Sequence, residues 1–228
     1  NYLLSDNPFS TEKFQSCFMY EKDKILELGY PANDPLYDKD LDKKADELKT
    51  KLGIPKNKKV LLYAPTWRDD EYYGKGQYKF KLKLDLEMMK EELGDEYVIL
   101  LRTHHYIADA LDVTGVEDFA YNLSKYDDIT EIYLISDICI TDYSSVFFDY
   151  AILKRPIYFY MYDLIHYRDE LRGFYLDVYH DLPGDIIEDE NQLLEEIKKG
   201  YDYQRLDKFN QRFNNHEDGK ASKRIIEA

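Results

Sequence analysis

The chain has 228 residues, of which 44% are hydrophobic, enough for a substantial core in one large or two small domains. Its formal net charge of -15 at pH 7 argues against nucleic acid as a partner and against attraction to an anionic membrane surface. Cys17 and Cys139 lie far apart, so neither a disulfide framework nor a metal cluster is indicated, and a reducing compartment fits best. No apolar run reaches the length of a membrane span.

Residues 1–38 differ in composition from the rest of the chain, with prolines at positions 8, 31 and 35. We predict a connecting segment with one short helix over 11–18, capped by Ser10 or Thr11. A compact domain is predicted over residues 39–228. It begins with a helix whose apolar residues share one face and which ends at Gly53. The sequence starts at Asn1 without a methionine, as a fragment of a longer protein would.

Strands and helices are predicted to alternate through the middle of the chain. The strands are short apolar runs without a polar face, which is typical of a parallel sheet covered by helices on both sides. The predicted strands are 60–64, 97–101, 119–123, 138–141 and 156–160, and the predicted helices are 84–93, 106–111, 129–135 and 145–153. Three more helices are expected at 192–199, 204–213 and 219–226, after a long irregular stretch over 161–185. The fold class is therefore α/β.

Polar residues follow each of four predicted strands. Ligands of open parallel sheets bind beyond the carboxyl ends of the strands, so these residues are expected to converge. An arginine fork suits phosphate, and a histidine beside phosphate can donate a hydrogen bond, stabilise charge or act as a general acid. The sequence therefore predicts a site for an anionic ligand. The segments are Pro65-Thr66-Trp67-Arg68, Arg102-Thr103-His104-His105, Thr141 to Ser145, and Tyr162-Asp163.

The stretch 136–150 combines a buried strand, a polar turn and a buried helix. The turn brings backbone N–H groups, the hydroxyls of Ser144 and Ser145, and the positive end of a helix dipole to one point, which suits phosphate. A simpler reading is that Asp142 or Ser144 only caps the helix. Capping and anion binding are compatible, so both readings stay open.

Each candidate residue also has a structural alternative. Arg68 could pair with a surface carboxylate, and His104 could be a structural histidine. Glu131 follows Asp128 by three residues, a capping-box spacing that is favoured over ribose binding. The pair Asp127-Asp128 has no third ligand at a spacing that would complete a metal site.

Seven segments together resemble the C-terminal half of the CDP-glycerol glycerophosphotransferase family, the teichoic acid primases and polymerases. They occur in the family's order and cover most of the first 185 residues. They are NPFSTEKFQSCF (7–18), GYPANDPLY (29–37), YAPTWRDD (63–70), LLRTHH (100–105), YDDITEIYLISDICITDYSSVFFDYAILKRPIYFY (126–160), YRDELRGFY (167–175) and DLPG (181–184).

The resemblance implies a GT-B-type transferase with two Rossmann-like domains, whose C-terminal half holds the CDP-polyol donor. Arg102 and His104 match the family's Arg-x-His motif, which makes His104 a catalytic or diphosphate-stabilising histidine. The donor phosphates are expected at the turn that comprises Asp142, Tyr143, Ser144 and Ser145, with Thr66 and Arg68 beside them. Glu131 is expected to contact the ribose or the nucleotide.

The implied activity is transfer of glycerol phosphate from CDP-glycerol to a lipid-linked poly(glycerol phosphate) acceptor. This chain would be the donor-binding part, and the family's missing N-terminal domain would carry a further histidine that activates the acceptor. No cofactor is implied, and dependence on a divalent metal is left open. The full-length protein is expected in the cytoplasm, peripheral on the inner face of the bacterial membrane.

Two alternatives to this function remain. The donor could be CDP-ribitol or a nucleotide sugar, bound by a transferase domain of the same fold. In the other alternative, the chain is a non-catalytic nucleotide-binding module.

Overall fold

The computed structural model describes residues 1–68, 70, 72–74, 77–78, 82–104 and 111–228, with the backbone alone at 72–74 and 77–78. The helix predicted over 106–111 lies outside the described residues except for Leu111, and so does His105. Where the chain is described, it forms a parallel sheet with helices on both faces, which is the predicted α/β class.

Six parallel strands form the central sheet, and two small two-stranded sheets accompany it. The order of the central sheet is β10-β9-β8-β3-β6-β7, with every neighbouring pair parallel. The five strands predicted from sequence are confirmed as β3, β6, β7, β8 and β9, while the short edge strand β10 was not predicted. The strands are β1 (Leu3–Ser5), β2 (Ile25–Glu27), β3 (Lys59–Ala64), β4 (Tyr72–Gly74), β5 (Gln77–Tyr78), β6 (Tyr97–Leu101), β7 (Ala120–Asn122), β8 (Ile138–Thr141), β9 (Ile157–Tyr160) and β10 (Ile186–Ile187).

Strand β3 shows why the strands carry no polar face. Val60, Leu62 and Ala64 belong to the core on one side of the sheet. Leu61 and Tyr63 belong to the core on the other side. Successive side chains of a strand point to opposite faces, so burial on both faces requires an unbroken apolar run.

Nine α-helices are present in the described part of the chain, and all except α6, which was not predicted, agree with the prediction to within a few residues at most ends. They are α1 (Pro8–Cys17), α2 (Leu41–Lys51), α3 (Leu86–Leu93), α4 (Ile129–Ile135), α5 (Val146–Ala151), α6 (Leu164–His166), α7 (Glu190–Lys199), α8 (Tyr203–Phe213) and α9 (Ala221–Glu227). Among the described residues, no helix is long and apolar enough to cross a membrane.

Three helix predictions were wrong in detail. The side chain of Asn7, and not Ser10 or Thr11, caps α1 by accepting the N–H of Ser10 at 2.8 Å, because Pro8 starts the helix without needing its own donor. Helix α5 has six residues instead of the predicted nine. The stretch 161–185 is not wholly irregular, since α6 and a π-helical turn over Tyr167–Leu171 lie within it.

The first 38 residues pack against the end of the chain. Asn7 Nδ2 donates to the Phe213 carbonyl at 2.6 Å, and the Tyr30 N–H donates to Glu217 at 2.9 Å. Asp34 accepts the N–H groups of Ala221 and Ser222 at the start of α9. Strands β1 and β2 form a separate parallel pair within this segment. The two ends of the sequence are therefore held together by polar contacts, of which the Asn7–Phe213 bond is buried.

Candidate functional site

The carboxyl ends of β3, β6 and β8 open into a polar cavity of about 790 Å³. Because these three strands are neighbours in the sheet, the segments that follow them meet at one edge. Six of the nine predicted site residues line this cavity, namely Thr66, Arg102, His104, Tyr143, Ser144 and Ser145.

Arg102 is held in place by the loop that follows β7. Its Nη1 donates to the carbonyl oxygens of Leu123 at 3.0 Å and Ser124 at 2.7 Å. Partial burial lowers the pKa of Arg102 from its usual value, but an arginine remains charged at any physiological pH. Because Nη1 is bonded to two carbonyl oxygens, the guanidinium has a fixed position in the lining of the cavity. A fixed positive charge at this position suits the binding of an anionic ligand.

His104 lines the cavity and packs against Trp67. The ring centroids are 5.3 Å apart, with the planes tilted by 56°. Trp67 follows β3 and His104 follows β6, so the contact exists only because these strands pair in the sheet. Packing against a large ring restricts the orientation of the imidazole, as a histidine working on a ligand in this cavity requires.

The turn at 142–145 lines the cavity through Tyr143, Ser144 and Ser145. Ser145 occupies the N-cap position of α5, and Ser144 Oγ accepts the Val146 N–H at a long 3.4 Å. Because α5 has six residues, its dipole is weaker than the predicted helix would supply. Backbone N–H groups and the two hydroxyls are thus the main features of the turn that favour an anion.

Thr66 contributes a further hydroxyl. Its backbone N–H donates to Asp142 Oδ1 at 2.7 Å, which ties the end of β3 to the end of β8. Its Oγ1 is buried, and no residue that the structure describes offers it a hydrogen bond. A buried hydroxyl without a partner is costly, so a ligand in the cavity would be stabilised by pairing with it.

Arg68 and Asp142 are not among the residues that line this cavity, and only 6% and 1% of their surface is exposed. Arg68 Nη2 donates to Asp142 at 2.9 Å and to Asp163 at 3.0 Å, and Arg68 Nε donates to Asp163 at 2.7 Å. The partners of Arg68 are thus the buried Asp142 and the partly buried Asp163, and not the surface carboxylate considered above. Contact of Arg68 or Asp142 with a donor phosphate stays a prediction.

The pKa values of Asp142 and Asp163 shift in opposite directions. Burial raises the pKa of Asp142, although Arg68 and the Thr66 N–H act against it. Burial also disfavours the Asp163 carboxylate, but the hydrogen bonds and charge of Arg68 outweigh it and lower the pKa of Asp163. Asp163 was not among the predicted site residues. The segment Tyr162-Asp163 was expected at this edge of the sheet because it follows a predicted strand, but Asp163 was given no role of its own.

Glu131 is not among the residues that line the polar cavity. Its carboxylate accepts the hydroxyl of Tyr126, while Asp128 caps α4 by accepting the N–H of Thr130 at 2.8 Å. Asp128 therefore acts as the N-cap that the spacing indicated. A ribose contact of Glu131 stays a prediction.

A second, more apolar cavity of about 660 Å³ adjoins the polar one. Tyr143, Ser145 and Tyr167 line both cavities, so they form the partition between them. The rings of Tyr143 and Tyr167 are stacked with centroids 3.7 Å apart. No group of three or more acidic, histidine or cysteine side chains in the described residues could hold a metal ion.

The model of the CDP-glycerol:poly(glycerophosphate) glycerophosphotransferase family matches residues 1–228. The chain belongs to this family. The fold agrees, because a solved structure of the wall teichoic acid polymerase TagF, a GT-B-type enzyme, superposes with a TM-score of 0.89 at 49% identity. That crystal, of a variant soaked with CDPG, matches 99% of this chain and 56% of its own. The predicted family and the GT-B-type α/β fold are thus confirmed.

Two curated relatives extend the comparison. The teichoic acid poly(glycerol phosphate) polymerase of Staphylococcus epidermidis is 50% identical over 99% of this chain, which spans 32% of that protein. The teichoic acid glycerol-phosphate transferase of Staphylococcus aureus is 47% identical over the whole chain, which spans 59% of that protein. The chain therefore corresponds to about a third to three fifths of the length of these relatives.

Proposed function

We propose that this chain is the donor-binding part of an enzyme that transfers glycerol phosphate from CDP-glycerol to a lipid-linked poly(glycerol phosphate) acceptor. The observation that carries the proposal is the meeting of Arg102, His104 and the turn hydroxyls of Ser144 and Ser145 in one cavity. In a chain with a net charge of -15, this is a locally cationic, hydroxyl-rich site. Membership of the glycerophosphotransferase family supports CDP-glycerol as the ligand.

The chemistry is phosphoryl transfer. A hydroxyl oxygen of the acceptor forms a bond to the β-phosphorus of CDP-glycerol, and the bond between that phosphorus and the bridging oxygen breaks, releasing CMP. The acceptor proton passes to a base, which the family resemblance assigns to the N-terminal domain. Charge accumulates on the phosphoryl oxygens and on CMP, so positioning and charge stabilisation supply most of the acceleration.

Five residues of the cavity have roles in this step. Arg102 supplies fixed positive charge and hydrogen bonds to the diphosphate. His104, held against Trp67, stabilises or protonates the departing CMP. Thr66, Ser144 and Ser145 donate hydroxyl hydrogen bonds to phosphate oxygens. Residues 1–38 connect this domain to the N-terminal domain, and the complete enzyme works at the inner face of the membrane, where a lipid-linked acceptor is found.

Calorimetric titration tests the proposal directly. The full-length protein would be titrated with CDP-glycerol, with CMP, CDP-ribitol, UDP and UDP-glucose as controls. We expect tightest binding of CDP-glycerol, and loss of that binding in the triple variant Arg102→Ala/Ser144→Ala/Ser145→Ala. Tightest binding of CDP-ribitol would change the proposed polyol from glycerol to ribitol. Tightest binding of a UDP ligand would overturn the proposed donor class. Binding that survives the triple variant would overturn the proposed site.

A further inference from the structure

Asp163 connects three strand ends from a position just after β9. Its carboxylate takes two hydrogen bonds from Arg68, which follows β3, at 2.7 and 3.0 Å. It also accepts the hydroxyl of Tyr143, which follows β8, at 2.8 Å. These contacts cross 95 and 20 positions of sequence, respectively. Asp163 therefore joins both segments that flank the polar cavity to the long segment 161–185.

Arg68 is the link through which Asp163 reaches the phosphate turn. Its Nη1 donates to the Thr66 carbonyl at 2.6 Å, and its Nη2 donates to Asp142 Oδ2 at 2.9 Å. The other oxygen of Asp142 accepts the N–H groups of Thr66 at 2.7 Å and Tyr143 at 2.5 Å. Both oxygens of Asp142 are thus occupied, and the turn that begins there is tied to Arg68.

Aromatic rings surround the guanidinium of Arg68. The guanidinium carbon of Arg68 lies 4.8 Å from the ring centroid of Tyr143, 5.3 Å from that of Tyr162 and 5.4 Å from that of Tyr167. In such a site a charged hydrogen bond is strong, and a charge that loses its partner is costly. Arg68 and its carboxylate partners therefore have one favoured geometry. A fixed geometry of this kind would hold the neighbouring binding site in place.

We propose that Asp163 is a positioning residue for the donor diphosphate, which acts through Arg68 and the Tyr143 hydroxyl to hold the turn 143–145 in its binding geometry. The inference rests on the proposed function. Asp163 does not line the polar cavity, so its effect on the ligand is transmitted by the turn. Ser144 and Ser145 are in the cavity and are directly attached to Tyr143 in the chain.

For the variant Asp163→Asn, a positioning role and a purely electrostatic role predict opposite changes in affinity for a diphosphate. Removing a negative charge near the site should strengthen binding of a diphosphate if charge alone matters. If Asp163 positions the turn, weaker hydrogen bonds to Arg68 and Tyr143 let the turn shift, and binding of the diphosphate weakens. The nucleoside of the donor needs no contact with the turn, so its own affinity should stay unchanged.

The experiment compares CDP-glycerol with cytidine in the full-length protein and in Asp163→Asn. We expect the variant to lose affinity for CDP-glycerol by roughly tenfold or more, as expected when hydrogen bonds to a charged group are weakened. Affinity for cytidine should change by less than about twofold, the usual scale of a substitution remote from a ligand. Asp169→Asn is the matched control, because Asp169 lies in the same segment but pairs with Arg168 at the surface.

Tyr143→Phe keeps the proposal falsifiable if Asp163→Asn fails to fold. It removes only the hydroxyl bonded to Asp163, so we expect a smaller loss for CDP-glycerol, and little further loss when both substitutions are combined. Unchanged or tighter binding of CDP-glycerol by either variant would overturn the positioning role, and so would an equal loss for both ligands. If the unmodified protein binds no CDP-glycerol, the proposed function falls and this inference falls with it.

Discussion

Arg102 Nη1 donates to the carbonyl oxygen of Ser124 at 2.7 Å, so the arginine after β6 is fastened to the loop after β7. A backbone carbonyl accepts this bond, which makes the anchor independent of the side chain at position 124. We expect Arg102→Lys to weaken CDP-glycerol binding by roughly tenfold, because lysine has a single nitrogen and, once bonded to both carbonyls, lacks the further nitrogens that the planar arginine fork offers to the ligand. Titration calorimetry measures this change, and Lys125→Arg in the same loop is the control. Full affinity in Arg102→Lys would show that a single positive charge suffices.

Replacing His104 with alanine should lower kcat by roughly a hundredfold to ten-thousandfold, the range typical of a general acid or base. The affinity for CDP-glycerol should fall much less, because Arg102 and the turn remain. Steady-state kinetics of the full-length protein with CDP-glycerol and an acceptor checks this. His180→Ala serves as the control, since His180 is exposed and pairs with Asp177. Near-normal turnover with an unchanged thermal midpoint would remove His104 from the mechanism.

Asp6 predicts a pH dependence of stability. Burial, followed by the nearby charge of Glu217, raises the pKa of Asp6 from 3.8 to about 7. The folded state therefore keeps a proton that the unfolded state releases, and the free energy of unfolding should fall as pH rises from 3.8 to about 7. Burial also raises the pKa of Glu217 and of Asp149, which adds to the effect with the same sign.

The variant Asp6→Asn isolates this contribution. It cannot ionise, so its thermal midpoint should fall less than that of the unmodified protein between pH 5 and pH 8, which lie on either side of the pKa of about 7. Asp207→Asn, a change to an exposed carboxylate beside Lys154, should leave the pH profile unaltered. Parallel pH profiles for Asp6→Asn and the unmodified protein would contradict the prediction.

Gly184 permits a close approach of the chain to β9. A Cβ atom at position 184 would lie 2.1 Å from the carbonyl oxygen of Ile157 and 3.4 Å from the ring of Phe159. We expect Gly184→Ala to destabilise the protein by about 1–3 kcal/mol, because backbone must move to relieve the overlap. Denaturant titration measures this loss, and an unchanged midpoint would mean that the chain relaxes there at little cost.

The sequence alone determined the α/β class and most of its elements. Central strands bury both faces and therefore read as unbroken apolar runs, whereas helices bury one face and read as a repeating apolar pattern. Both patterns are local properties of the chain. Strand β6, helix α4 and strand β8 have the bounds that the apolar runs predicted. The convergence of Thr66, Arg102, His104 and the turn at Ser144 also followed from sequence, because parallel strands bring their carboxyl ends to one edge.

Only the tertiary structure decided which polar groups pair. The sequence left Arg68 open between a place beside the donor phosphates and a carboxylate pair, and the structure shows its side chain bonded to Asp142 and Asp163, 74 and 95 positions away. Asn7 likewise caps α1 while its amide holds the Phe213 carbonyl, 206 positions away. Such partners depend on strand order and on the packing of loops, which leave no local pattern. Periodicity therefore determines where backbone elements form, whereas the pairing of buried charges is settled only when distant segments meet.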